Sequence, residues 1–154
     1  MRRLNLLPSL ALAVSILLPG SALAAVGGSD LPVIGSQTGS CVYSLVTLQG
    51  HCVTTGPASH FGVSTMEADV QLTGLGPGSS DSGTWTLTVA NGDQMFGTFA
   101  GILGSGTWVS SGGTGRFADA SATFFDTSQM TLVSVDGVFA TFAVDVAVVG
   151  RLSY

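Results

Sequence analysis

Glu67 and Asp69 stand two positions apart in a stretch, residues 61–72, whose polarity alternates. On a strand that spacing directs both carboxylates to one face. Inside a poorly solvated cavity their repulsion would raise the pKa of one, leaving an acid beside a base or electrostatic stabiliser. The corresponding chemistry is general acid–base catalysis without a cofactor. The opposite parity holds Met66, Ala68, Val70 and Leu72, and burial of that set turns both carboxylates to water. The expectation is therefore a non-catalytic domain that binds a small apolar molecule or serves as an extracellular component. Glu67 and Asp69 are its catalytic pair only if the strand shows its charged face to the interior.

Other reactive side chains are few. Cys41 and Cys52 are the only cysteines. A straight strand over residues 42–49, at roughly 3.3 Å per residue, would carry them far beyond the ~7 Å that a disulfide spans. Either the chain reverses between them and they pair, or they remain apart as small apolar side chains. His51 adjoins Cys52, yet neighbours on a strand point to opposite faces, so no catalytic dyad follows. His51 and His60 lack the spacing of a metal site, and none is expected. Gly112, Gly113 and Gly115 form a glycine-dense bend without the Gly-Lys-Ser or Gly-Lys-Thr ending of a phosphate-binding loop. They are read as a structural turn, and no cofactor is expected. Arg116, in the same turn, is expected to pair with Asp119 or another carboxylate and anchor it rather than clamp an anion at a barrel mouth.

These groups sit in 154 residues that are 45% hydrophobic and 8% charged, with 22 Gly and 5 Pro. The length suits one domain. Apolar runs recur between glycines that keep no period of three, which excludes both collagen and charge-solvated disorder. Met1-Arg2-Arg3, the apolar run over residues 4–18 and Ala22-Leu23-Ala24 have the order of a secretory signal peptide. Residues 1–24 are expected to be removed, residues 25–39 to form an extended leader and residues 40–154 the domain. The mature chain then has two arginines, no lysine and nine carboxylates, a formal charge of −7. Such a chain cannot neutralise a phosphate backbone, so nucleic acid is excluded as a partner. The expected location is periplasmic or extracellular.

The elements that must position any site are strands. Residues 84–89 alternate Thr84, Thr86 and Thr88 with Trp85, Leu87 and Val89, and Asn91-Gly92 follows as a hairpin turn. Gly97, inside the returning strand, is read as a bend or bulge. Residues 75–83 and 126–128 are read as connections, residues 117–125 and 130–135 as strands, Asp136-Gly137 as a turn, and residues 138–149 as a long final strand. Seven or eight short strands make an all-β, antiparallel domain. A chain this apolar and poor in lysine gains most by leaving no edge open, which favours an eight-stranded closed barrel over a sandwich. An outer-membrane barrel is disfavoured by interrupted alternation and by the lack of two aromatic belts, so no stable membrane insertion is expected.

Asn91-Gly92-Asp93-Gln94-Met95-Phe96-Gly97-Thr98-Phe99 and Gly112-Gly113-Thr114-Gly115-Arg116-Phe117-Ala118-Asp119-Ala120 resemble turns of the allene oxide cyclase and dirigent superfamily. Gly56-Pro57-Ala58-Ser59-His60-Phe61-Gly62 resembles a turn of exported bacterial proteins related to that barrel. The resemblance extends loosely over residues 44–149 and departs at Ser121-Ala122, where the family turn has glycine. It implies a compact eight-stranded barrel, often a homo-oligomer, whose interior can hold a small apolar ligand, with a cofactor-independent cyclase or isomerase acting on an apolar substrate inside the barrel as the alternative. In plant relatives such interiors guide cyclisation of a fatty-acid epoxide or stereoselective coupling of phenolic radicals. The barrel is carried over to this chain and the reaction is not. Intact-mass measurement of the exported protein is expected to give a chain starting at Ala25; a product retaining residues 1–24 would overturn the processing assignment.

Overall fold

The computed structural model describes residues 29–154, so the signal-peptide assignment lies outside the described residues. Eight strands follow in chain order: β1 (Leu31–Ser44), β2 (Gln49–Ala58), β3 (Gly62–Leu72), β4 (Ser80–Val89), β5 (Gln94–Ile102), β6 (Ser105–Gly113), β7 (Ser121–Asp136) and β8 (Phe139–Ser153). Each is antiparallel to the next, and β8 returns to β1 to close the barrel. The closing ladder runs from Leu31↔Leu152 to Ser44↔Phe139. Among the described residues no helix is long and apolar enough to cross a membrane.

Residues 31–39, read from sequence as leader, are the first part of β1, so the barrel begins at Leu31 rather than at residue 40. Pro32 and the scattered glycines obscured the strand, but Pro32 lies outside the β1–β2 ladder, which starts at Gly35↔Ala58. A missing N–H there breaks no bond of that ladder. Asp81 and Asp126 also fall within β4 and β7 rather than in connections. Strand parity is otherwise as the sequence implied. Trp85, Leu87 and Val89 are buried in β4, as are Ala68, Val70 and Leu72 in β3.

Successive turns alternate between the two ends of the barrel. At one end the glycine-dense bend becomes a short 3-10 turn, Gly115–Phe117, which folds the fully buried Phe117 against Phe61 and Tyr154, with ring centroids 5.5 and 6.2 Å away. Phe61 in turn meets Phe124 edge-on at 5.9 Å. The turn therefore delivers an aromatic plug. Its position is held by Asp93, whose carboxylate accepts the Arg116 backbone N–H at 3.2 Å and the Asn91 side-chain amide at 2.9 Å. Those two bonds hold the Asp93 carboxyl below its ordinary value. The Arg116 guanidinium lies 4.7 Å from the Phe117 ring centre. Contrary to expectation it forms no ion pair with Asp119: the ion pairs of the described residues are His51–Asp69 and Arg151–Asp30.

At the other end the chain reverses between β1 and β2, making Cys41 and Cys52 direct cross-strand partners with Cα atoms 4.0 Å apart. They form a disulfide on the inner wall. The bridge closes a loop with a sequence separation of 11, for which restriction of the unfolded chain contributes about 3 kcal/mol. Replacing both cysteines by alanine should lower unfolding free energy by about 2–4 kcal/mol, measured by urea titration. A change below about 0.5 kcal/mol would show that the bridge does not limit the unfolded chain.

Candidate functional site

The inner wall encloses two adjoining chambers. The first, about 40 Å³, is bounded by Val33, Phe61, Trp85, Leu87, Phe124 and Val148 and is almost wholly apolar. The second, about 60 Å³, lies toward the disulfide and is bounded by Tyr43, Thr54, Asp81, Phe99, Met130 and Val144. Met66, Trp108, Asp126 and Val146 belong to both walls and form the partition. Trp108 stacks on Phe99 with ring centres 4.3 Å apart and meets Trp85 at 6.2 Å. The interior thus passes from an aromatic and aliphatic chamber to an aromatic and acidic one.

The acidic character follows from register. Asp81 on β4 pairs with Gly101 on β5, Gly101 with Gly106 on β6, and Gly106 with Asp126 on β7. Two carboxylates thus end one cross-strand row whose middle positions carry no side chain. A Cβ on Gly101 would run into the Ser105 carbonyl and the Gly106 Cα and come within 3.1 Å of Asp81 Oδ1, and one on Gly106 would come within 3.0 Å of Asp126 Oδ1. The glycines leave the recess that the carboxylates occupy.

The two acids are satisfied unequally. Asp126, 8% exposed, accepts the Trp108 indole N–H through Oδ1 at 2.8 Å. Asp81 Oδ1 is buried and has no hydrogen-bond partner. Burial, and then the negative charge of Asp126, raises the Asp81 pKa above the ordinary 3.8, against a smaller opposing contribution from its own backbone. Tyr43 is pushed up to about 12 by burial and then by Asp81. Its hydroxyl donates to the disulfide sulfur of Cys52, 3.5 Å away. Deeper polar groups satisfy one another: Thr54 donates to Gln37 Oε1 at 2.7 Å, and Gln37 Nε2 donates to Ser64 at 3.4 Å.

The sequence candidates lie elsewhere. Glu67 and Asp69 are exposed on the outer wall of β3. Asp69 accepts from His51 Nδ1 at 2.8 Å across the β2–β3 register, and Glu67 faces Val53 and Thr86. Neither carboxylate borders a chamber. Gly112 and Gly113 end β6, and Gly115 with Arg116 belongs to the plug turn. The described residues contain no cluster of histidine, cysteine or carboxylate groups fit to hold a metal. The interior acids escaped sequence reading because each is followed by Ser or Thr and sits beside a glycine-rich or turn-like run. The recoverable signal is parity: Asp81 shares it with Trp85, Leu87 and Val89, and Asp126 shares it with Ala122 and Phe124.

No family model, curated protein or solved structure matches the chain.

A carboxyl with a raised folded pKa holds its proton more tightly in the folded state. Its contribution to stability is complete below the unfolded value near 3.8 and is lost as pH rises through the folded value. Asp81→Asn removes that loss. Thermal unfolding of this variant at pH 7 should show a midpoint above the parent's by roughly 3 °C or more. The difference should shrink at pH 3.5. A variant less stable than the parent at pH 7 would show that the ionised carboxylate is satisfied.

Proposed function

We propose that the protein is an exported, non-catalytic barrel that holds a small apolar molecule inside its closed sheet. The observation that supports this most directly is the first chamber, enclosed by Trp85, Phe124, Leu87 and Val33 and stoppered by Phe61 and Phe117. Its wall is apolar apart from Gln37 and Asp126, and an apolar guest there gains contacts that water cannot offer. Export rests on the order of charge, apolar run and small residues over residues 1–24. The turn resemblances to allene oxide cyclase and dirigent barrels support the same use of the interior.

The chamber volumes limit the guest. About 40 and 60 Å³ admit a molecule of a few heavy atoms. Met66 at the partition and Met130 in the second wall are unbranched and can rotate to merge or widen the space. A cofactor-independent cyclase or isomerase is the second reading. It is favoured by one feature, the Asp81 carboxyl raised by burial on the interior wall, because general-acid chemistry near neutral pH needs such a group. Under that reading the acid belongs to Asp81 and not to the outward-facing Glu67 or Asp69.

Xenon is a suitable monatomic apolar probe. Titration of the mature protein should give saturable xenon NMR shifts, perturb the indole N–H resonances of Trp85 and Trp108, and be suppressed by Val148→Phe. Native mass spectrometry of gently purified protein should show a co-purifying small molecule. An interior that takes up no xenon and retains no small molecule would rule out the carrier reading.

A further inference from the structure

We propose that the guest is an amphipathic organic cation, with its apolar body in the first chamber and an ammonium head in the second, between Asp81 and Asp126. This rests on the interior being a ligand site. The second chamber combines the two kinds of group that stabilise an organic cation away from water. Carboxylates supply the countercharge, and Trp108, Phe99 and Tyr43 place aromatic rings in the same wall.

The chain leaves this charge unanswered. It has no lysine. Of the described arginines, Arg116 lies over Phe117 at the opposite end, and the exposed Arg151 reaches Asp30. The Trp108 indole is a neutral donor and serves only Asp126. Asp81 Oδ1 therefore remains buried and unpartnered, a condition that destabilises a charged group more than a neutral one. An ammonium brings the donors that the chain lacks. It also offsets the repulsion between the acids at the two ends of the glycine row.

The gradient between the chambers selects amphipathic guests over compact inorganic ions. A metal ion would need more oxygen ligands than two carboxylates provide and would gain nothing from the apolar chamber. An anion meets two acids and no base. A neutral apolar molecule fills the first chamber but leaves Asp81 unpaired. A proton on Asp81 is the competing occupant, and it predicts no preference for a cation.

The probes are n-butylammonium and 1-butanol, which have the same number of heavy atoms and differ in head-group charge. Binding is followed at the Trp108 indole N–H by NMR, in 0.3 M salt to screen the acidic exterior. Butylammonium should bind at least tenfold more tightly than butanol. Asp81→Asn and Asp126→Asn should each weaken butylammonium at least tenfold while leaving butanol within twofold, and Asp69→Asn on the outer wall should change neither. Dispersed amide spectra establish that each variant is folded. Equal affinities for the two probes, or an ammonium preference that survives both interior substitutions, would overturn the cation assignment while leaving the apolar site intact. Failure of both probes to reach Trp108 would remove the ligand site itself.

Discussion

Hydrogen bonding of β8 to β1 is the constraint on which the rest depends. Without that ladder the sheet would end in two edges of more than ten residues, formed by strands whose only charged side chains are Asp145 and Arg151, too few to discourage edge pairing. With it, the only buried surface available is the inside of the barrel. Every inward parity must then be filled by side chains, and eight strands enclose just enough width for that. The smallness of the chambers is a consequence of closure.

The interior is filled unevenly along the barrel axis. At the plug end, Phe61, Phe117, Phe124 and Tyr154 interlock through edge and tilted ring contacts. Toward the other end, glycines replace bulk in the row from Asp81 to Asp126, and the disulfide occupies inward positions that a larger pair would otherwise fill. Gly97 lies outside this row. Its register shift against β6 marks a bulge, and a Cβ there would run into the Val109 carbonyl. Gly101 joins both uses, since a Cβ there would meet the Ser105 carbonyl as well as Asp81.

Polar groups on the inner wall fall into two kinds. Gln37, Thr54 and Ser64 form a connected set across three neighbouring strands and require nothing from outside. Asp81, Asp126 and Tyr43 are connected only in part, through Trp108 and the disulfide sulfur. A satisfied network adds rigidity, whereas an incomplete one in low dielectric leaves free energy for a ligand to recover. The outer carboxylates Glu67 and Asp69 can be hydrated where they stand and hold no comparable reserve.

The sequence by itself determined the strand character, the number of strands to within one, and the face each clearly alternating residue takes. Thr84 to Val89 and Met66 to Leu72 could be assigned from a period of two alone, because the pleat sends alternate side chains to opposite sides. It also set the scarcity of charge that made closure favourable. It did not determine the reversal that pairs Cys41 with Cys52, nor that residues 31–39 serve as closing strand, since Pro and Gly there are compatible with a leader and with a strand start. The site was decided only in three dimensions. Asp81 and Asp126 lie 45 positions apart on strands that share no hydrogen-bonded ladder, and only the register through Gly101 and Gly106 puts them in one row. Period-two patterning names the face of a residue; which distant residues share that face's recess depends on register and closure, which pairwise hydrogen bonding fixes between strands and local sequence does not encode.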